Sequence, residues 1–354
     1  RKRIIIISAA AAVVFAAMYA LDKSGALVKA LKPVVESRLS KALKTRVVVG
    51  AVDGGLFSSV TLRNVYVYPS ADPKALPLLY SRKVVVSYSI KNYLFNGRDI
   101  AASLSRIKLV DASLMLKRDV SGKFNLPDFS RTGGGQEASI PALPVSISNG
   151  AMHYTDETRK FTTSIKDIKA DVSNPDASGS VEFSLKAKTH GSRRRNLFAD
   201  GVYSPKDNRY GITPKLDGLD TAHYGNYALS LTSNSRRIVV KTGLLGAEMR
   251  FENGAEPSGT VRLFGAELEA AGLARPLTDV SARVKLSGRF LVEDASATYG
   301  TTAASASGWI GFGTDPAMDM KIHAKSDDLR ELSGFLKPLK TRSIAGAGEG
   351  IVRF

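Results

Sequence analysis

Val280-Ser281-Ala282-Arg283-Val284-Lys285-Leu286-Ser287 sets an apolar side chain at every second position and a polar or charged one between. A strand sends successive side chains to opposite faces, whereas a helix would scatter this pattern around its circumference. The stretch therefore reads as a strand with one greasy and one wet face. The period recurs in both directions along the chain. Upstream, Val181, Phe183, Leu185 and Ala187 alternate with Glu182, Ser184, Lys186 and Lys188, and Val84, Val86, Tyr88 and Ile90 alternate with Val85, Ser87 and Ser89. Downstream, Met318, Met320, Ile322 and Ala324 alternate with Asp319, Lys321, His323 and Lys325.

Short turn signals punctuate these runs: Asp53-Gly54-Gly55, Asn96-Gly97, Ser121-Gly122, Asn149-Gly150, Asn253-Gly254, Ser258-Gly259 and Ser287-Gly288. Glycine and asparagine supply the positive φ that tight turns require, so the spacing predicts a meander of antiparallel strands. Helical patterns after residue 45 are brief, the main one being Asp327 to Leu336 behind a Ser326-Asp327-Asp328 cap. Arg131-Thr132-Gly133-Gly134-Gly135-Gln136, followed by Pro141 and Pro144, marks 131–144 as a loop or linker between a β segment at 46–130 and a longer one at 145–354. A long sheet with one apolar face and little helix has three solutions: two sheets face to face, a closed barrel, or an open curved sheet. An open sheet keeps its greasy face only if something apolar occupies it.

The N-terminal end differs in kind. Ile4 to Leu21 are eighteen residues without a charge, and as a helix they extend about 27 Å, close to one hydrocarbon thickness. Residues 1–22 therefore read as a transmembrane anchor. A cleaved signal peptide is the rival, but the run is longer than the usual apolar core of about 7–15 residues, and Met18-Tyr19-Ala20 is a poor cleavage site. Lys and Arg flank both ends of the span, so the charge count alone leaves its orientation open. Residues 23–45 follow as an amphipathic helix: Leu27, Leu31, Val34, Val35, Leu39, Ala42 and Leu43 oppose Lys29, Glu36, Ser37, Ser40 and Lys44, and Pro33 either kinks the helix or begins a second one. Such a helix lies on an anionic membrane surface or packs as a lid on the following sheet. The chain opens on Arg1-Lys2-Arg3 without Met and ends within the strand-like Ile351-Val352-Arg353-Phe354, as expected of a piece of a longer protein.

Composition narrows the chemistry. The 354 residues are 44% hydrophobic and carry a formal charge of +17, of which +7 falls within residues 1–45. A basic excess concentrated beside a span points to anionic headgroups rather than to nucleic acid. The basic runs Arg193-Arg194-Arg195 and Arg236-Arg237 lack the interleaved aromatics of a single-strand groove, so no nucleic-acid partner is expected. The absence of cysteine removes disulfides, thiolate nucleophiles and cysteine-ligated metal sites. Four scattered histidines, His153, His190, His223 and His323, form no catalytic or metal motif, and Gly346-Ala347-Gly348-Glu349-Gly350 lacks the spacing and βαβ setting of a dinucleotide loop. No enzyme activity, cofactor or metal is expected.

Several segments resemble one family. Thr45-Arg46-Val47-Val48-Val49-Gly50 and the run Gly55-Leu56-Phe57 through Tyr66-Val67 look like the opening of AsmA-like proteins. Leu114 to Phe129, LMLKRDVSGKFNLPDF, is similar to that family's recurring phrase of strand, charged turn with glycine, Asn-Leu pair and short helical tail, and Ile147 to Asp156 resembles the strand that follows it. Leu277 to Leu329 looks like one of the repeated β units of the same superfamily, which includes the TamB- and YhdP-type bridge-like lipid transfer proteins. The resemblance implies a mainly β protein in which a transmembrane helix and an amphipathic helix precede a long, curved, mostly antiparallel sheet forming an open groove. It implies an inner-membrane anchor, a periplasmic body and conduction of phospholipid toward the outer membrane. Val84, Val86, Tyr88, Phe183, Leu185, Val284, Leu286, Met318, Met320 and Ile322 are the expected lining, with acyl chains, the inner membrane and an outer-membrane or envelope protein as partners. Ordinary core packing is the competing account of those side chains. A scaffold for outer-membrane proteins or a partner-binding β-sandwich is the competing function.

Overall fold

The computed structural model describes residues 32–43, 45–55, 59–70, 75–89, 104–126, 143–204, 206–231, 238–312, 317–328, 330 and 346–353. The candidate span at 4–21, the linker at 131–142, Asn96-Gly97 and most of 327–336 lie outside them. Among the described residues no helix is long and apolar enough to cross a membrane. The chain divides into two compact units between Phe183 and Ser184.

The N-terminal unit holds helix α1 (Lys32–Ala42) and strands β1 (Val47–Gly55), β2 (Ser59–Val67), β3 (Leu79–Tyr88), β4 (Leu104–Arg118), β5 (Val145–Asp156) and β6 (Phe161–Val172), with sheet order equal to chain order. Strand β7 (Val181–Lys188) contains the unit boundary. The described pairs of this unit are antiparallel except β4 with β5, which run parallel from Ile107↔Val145 to Arg118↔Asp156. A parallel pair cannot be joined by a tight turn. The end of β4 and the start of β5 therefore lie at opposite ends of the pair, and the simple meander is broken there.

Valines at β1 and β2 build a closed core. Val47, Val49, Val52, Leu62, Val65 and Val67 are buried together, with Val35 and Leu39 of α1 packed on them. Pro33 lies in the first turn of α1, where its missing N–H costs nothing. The helix also closes the outer edge of β1: Glu36 Oε1 accepts the Val49 N–H at 2.7 Å, Ser40 Oγ accepts the Val47 N–H at 3.0 Å, and Lys32 Nζ donates to the Gly50 carbonyl at 3.2 Å. An unpaired strand edge invites aggregation, and these side chains satisfy it. The lid expectation thus holds for residues 32–42, although Val34 stays exposed rather than joining the apolar stripe.

A line of residues in the left-handed conformation crosses the same sheet. Asn64, Asp111, Asn149 and Asp167, in β2, β4, β5 and β6, all have φ between 49° and 55°. Asn and Asp reach this left-handed region at least cost after glycine. By register, Asn64 stands opposite Arg82, Arg82 opposite Asp111, and Asp111 opposite Asn149. Arg82 pairs with Asp111, and the Asn149 amide donates to the same carboxylate. Along this line register is continuous past Asn64 and Asp111 and shifts only between β5 and β6, around Gly150, where a bulge bends the strand and raises its twist. Asn149-Gly150 is therefore the interior of β5 and not a turn. A Cβ on Gly150 would meet Ile147 Cγ2 at 2.9 Å, which is why glycine follows the bulged residue. Ser258-Gly259 is likewise no turn but the start of a strand.

The C-terminal unit continues with β8 (Leu197–Ser204), β9 (Arg209–Asp220), helix α2 (Thr221–Ser230), β10 (Ile238–Glu252), β11 (Ser258–Ala270), β12 (Leu277–Ser287), β13 (Phe290–Tyr299), β14 (Thr302–Ile310), β15 (Met318–Ser326) and β16 (Gly348–Arg353). Sheet order again equals chain order, and every described pair is antiparallel. The mainly β, mostly antiparallel architecture expected from the period-2 pattern is what both units adopt.

Candidate functional site

Direct cross-strand partners share a face, so register converts the alternation of single strands into rows. In the C-terminal unit Val261, Val284, Val292, Gly308 and Met320 form one row, each paired with the next. Beside it run Leu286, Phe290, Ile310 and Met318, and on the other side Leu263, Ala282, Ala295, Ala306, Ile322 and Val352. Five predicted lining residues, Val284, Leu286, Met318, Met320 and Ile322, thus lie together on one face. At about 4.8 Å per strand, the six strands from β11 to β16 carry these rows across roughly 24 Å.

The described residues of this face are less buried than the valine cluster of the N-terminal unit. Of the twelve buried hydrophobic residues described, eight belong to the N-terminal unit, all between Val47 and Ala112. The C-terminal unit contributes only Ala187, Val240, Ala266 and Tyr299. Its row residues are half-buried, except Phe290, Met318 and Val352, which are exposed, Met318 at 52%. Within this unit the substantial packing contacts join sheet neighbours, or α2 with β9 and β10.

The helix α2 covers one end of the face. The Asp220 carboxylate caps it by accepting the Ala222 and His223 N–H groups, as Asp does at many helix starts. A Cβ added to Gly225 would lie 3.4 Å from Val240 Cγ2, so the helix rests closely on that side chain. Asn226 Oδ1 accepts the Val240 N–H at 2.8 Å, and its Nδ2 donates to the Val240 carbonyl at 2.7 Å. Asn226 thereby replaces the strand that β10 lacks beyond the end of β9. At the start of the helix His223 stacks on His190 with ring centroids 4.3 Å apart, and the Tyr224 hydroxyl accepts the His190 N–H. Burial, reinforced by His190, pushes the His223 imidazole below its ordinary pKa, against the pull of Asp220.

The opposite face is mostly charged, although Leu244 and Phe264 are exposed on it. Lys215 meets Glu248, Lys241 meets Glu269, and Arg353 meets Asp319. His323 Nε2 lies 2.5 Å from a Glu349 carboxylate oxygen, a cross-strand contact on the polar side. A depression of about 610 Å³ over this face is lined by Lys215, Glu248, Thr260 and Arg262. Among the described residues no three His, Asp or Glu side chains converge as a metal site.

The remaining predicted residues fall elsewhere. Val84 packs against the valine core of the N-terminal unit. Val86 pairs with Val60 and Ile107, and Tyr88 with Leu104, on the face that carries Leu62. Phe183 and Leu185 are half-buried on one face of β7, on either side of the unit boundary. Sequence reading missed Leu245, Val261, Leu263, Val292 and Ile310. In β10 and β11 the alternation is interrupted by register shifts around Gly243 and Gly265, so only pairing reveals their common face. Comparison with protein-family models and with curated proteins finds no match to the chain.

Proposed function

We propose that the chain is the anchored N-terminal portion of an AsmA-like lipid transfer protein, and that the apolar face of its curved sheet conducts phospholipids between the inner and outer membranes. The supporting observation is that face itself: continuous apolar rows across β11 to β16, half-exposed and with no second layer over them among the described residues of their own unit. Each CH₂ withdrawn from water is worth about 0.8 kcal/mol, so an acyl chain and an uncovered greasy face stabilise one another. Conduction needs many similar weak contacts rather than one tight pocket, and rows of Val, Leu, Ile, Met and Ala without a polar anchor provide them. The apolar run at 4–21 serves as the inner-membrane anchor and the sheet stands in the periplasm. No enzymatic step, cofactor or nucleic acid enters this account, and an envelope protein at the far end is its expected partner.

Site-specific photocrosslinkers test it. Probes at Phe183, Leu185 and Met320 capture phospholipid, whereas probes at Lys186 and Lys321, on the charged face, do not. Equal capture from both faces, or none from the apolar one, removes the conduit and favours a scaffold for outer-membrane proteins.

A further inference from the structure

The apolar face of the C-terminal unit has two unlike rims. Antiparallel order brings the 204–209, 252–258 and 287–290 turns to one rim, while the 299–302 turn and the end of β15 lie at the other. At the first rim Tyr210, Phe251 and Phe290 are 44%, 36% and 41% exposed. At the second, Tyr299, Thr302 and Ser326 are buried, with Thr302 Oγ1 donating to Ser326 Oγ at 2.8 Å. Exposed aromatic rings thus gather on one lip.

Each of those rings follows an arginine: Arg209-Tyr210, Arg250-Phe251 and Arg289-Phe290. Tyr210 and Phe251 alternate onto the face of Ile212, and Phe290 pairs with Leu286, so the rings belong to the apolar side. Alternation sends Arg209 and Arg250 to the charged side, and Arg289 rests over Trp309 there, 5.1 Å from the ring centroid. The sheet is one backbone thick, so ring and guanidinium flank the same edge from its two sides, and a long arginine stem reaches past it. Arg250 is paired with Glu252, but that pair is exposed and weak enough to yield to a phosphate.

We infer that this lip binds the phosphate of a phospholipid headgroup. The arginines hold the phosphate, the aromatic rings hold the junction between headgroup and tail, and the acyl chains run across the Val, Leu and Ala rows. Aromatic and cationic side chains take the same positions at a membrane interface. The inference rests on the lipid-conduit reading and adds an orientation and a preference: lipids bearing phosphate over neutral ones with the same tails.

The test compares binding of fluorescent phosphatidylglycerol and diacylglycerol of identical acyl chains to the full chain and to the triple variant Arg209→Gln/Arg250→Gln/Arg289→Gln. Phosphatidylglycerol binding is expected to weaken about tenfold in the variant while diacylglycerol binding is unchanged, in line with losing charge-assisted hydrogen bonds. A second triple variant with Lys at the three positions keeps the preference. Equal affinity of the unaltered chain for both lipids, or identical behaviour of the Gln and Lys variants, overturns the headgroup assignment and leaves the apolar conduit standing. Binding of neither lipid overturns both. Glycerol 3-phosphate binding as tightly as phosphatidylglycerol would show a site for free phosphate esters, and would overturn the lipid assignment.

Discussion

Two ways of treating an apolar face coexist in this chain. In the N-terminal unit Val47, Val49, Val52, Leu62, Val65 and Val67 bury one another under α1, whose Val35 and Leu39 complete the cluster. In the C-terminal unit an equally regular set of rows stays half-exposed. Both units close a strand edge with a helix, through Glu36 and Ser40 on β1 and through Asn226 on β10. The difference therefore lies in the face and not in the edge. Among the described residues of its own unit nothing is layered over those rows, and a bare apolar face of this size is a liability for a soluble sheet.

Paired substitutions give the strongest test of that contrast. Leu62→Ala leaves a cavity in a packed cluster and is expected to cost about 2–5 kcal/mol in denaturant unfolding. Leu286→Ala removes a side chain already open on one side, and is expected to cost under about 1 kcal/mol while weakening acyl-chain binding. Equal destabilisation by the two would mean that the C-terminal face is also a core.

The sequence made part of this legible. Strand period, one apolar face and the scarcity of helix could all be read from Val181–Lys188, Val280–Ser287 and Met318–Lys325, where pairing is regular. The bulged strands could not be read. Asn149-Gly150 has turn composition yet continues β5, because its register partners, not its own propensities, hold Asn149 at φ 55°. The helix α2 also escaped notice: Thr221-Ala222-His223-Tyr224-Gly225-Asn226 has weak helix formers and a central glycine, and it is stabilised by the Asp220 cap and by its seat on Val240. Whether a greasy strand lines a core or an open face is a property of what lies above it, and no local pattern records that. Val84 and Val284 look alike in sequence and differ only there.

A smaller effect separates the two helices. Ser40→Ala removes one acceptor from β1, but α1 keeps Glu36 and its apolar contacts, so roughly 1 kcal/mol is expected. Asn226→Ala strands both the N–H and the carbonyl of Val240, and about 1–3 kcal/mol is expected, with α2 opening locally. Hydrogen exchange should therefore accelerate across 221–230 and at Val240 in the second variant, and little across 32–42 in the first. Uniform acceleration across both helices would mean that α1, too, depends on its edge bonds.

Acid should distinguish the units most gently. In the N-terminal unit Asp119 and Asp176 sit in matching turns, Asp119-Val120-Ser121-Gly122-Lys123 and Asp176-Ala177-Ser178-Gly179-Ser180. In each, one carboxylate oxygen accepts the hydroxyl and N–H of the serine two residues on and the N–H four residues on. The serine hydroxyl is the main cause holding each carboxyl below its ordinary value, assisted by those backbone bonds. A depressed carboxyl stabilises the fold above its unfolded pKa, and the contribution fades only as pH falls below the usual carboxylate range of about 4. His223 in the C-terminal unit behaves differently: its folded pKa is depressed, so the unfolded chain binds the proton more readily and stability falls as pH drops through the ordinary histidine range, about 6.5. Relative to the intrinsic exchange rate at each pH, protection of α2 should fall between pH 7 and 5 while the 119–123 and 176–180 turns stay protected, and His223→Gln should flatten the first response alone. An acid response of the turns in that same interval would break the distinction, because serine-bound carboxylates have no proton to take up there.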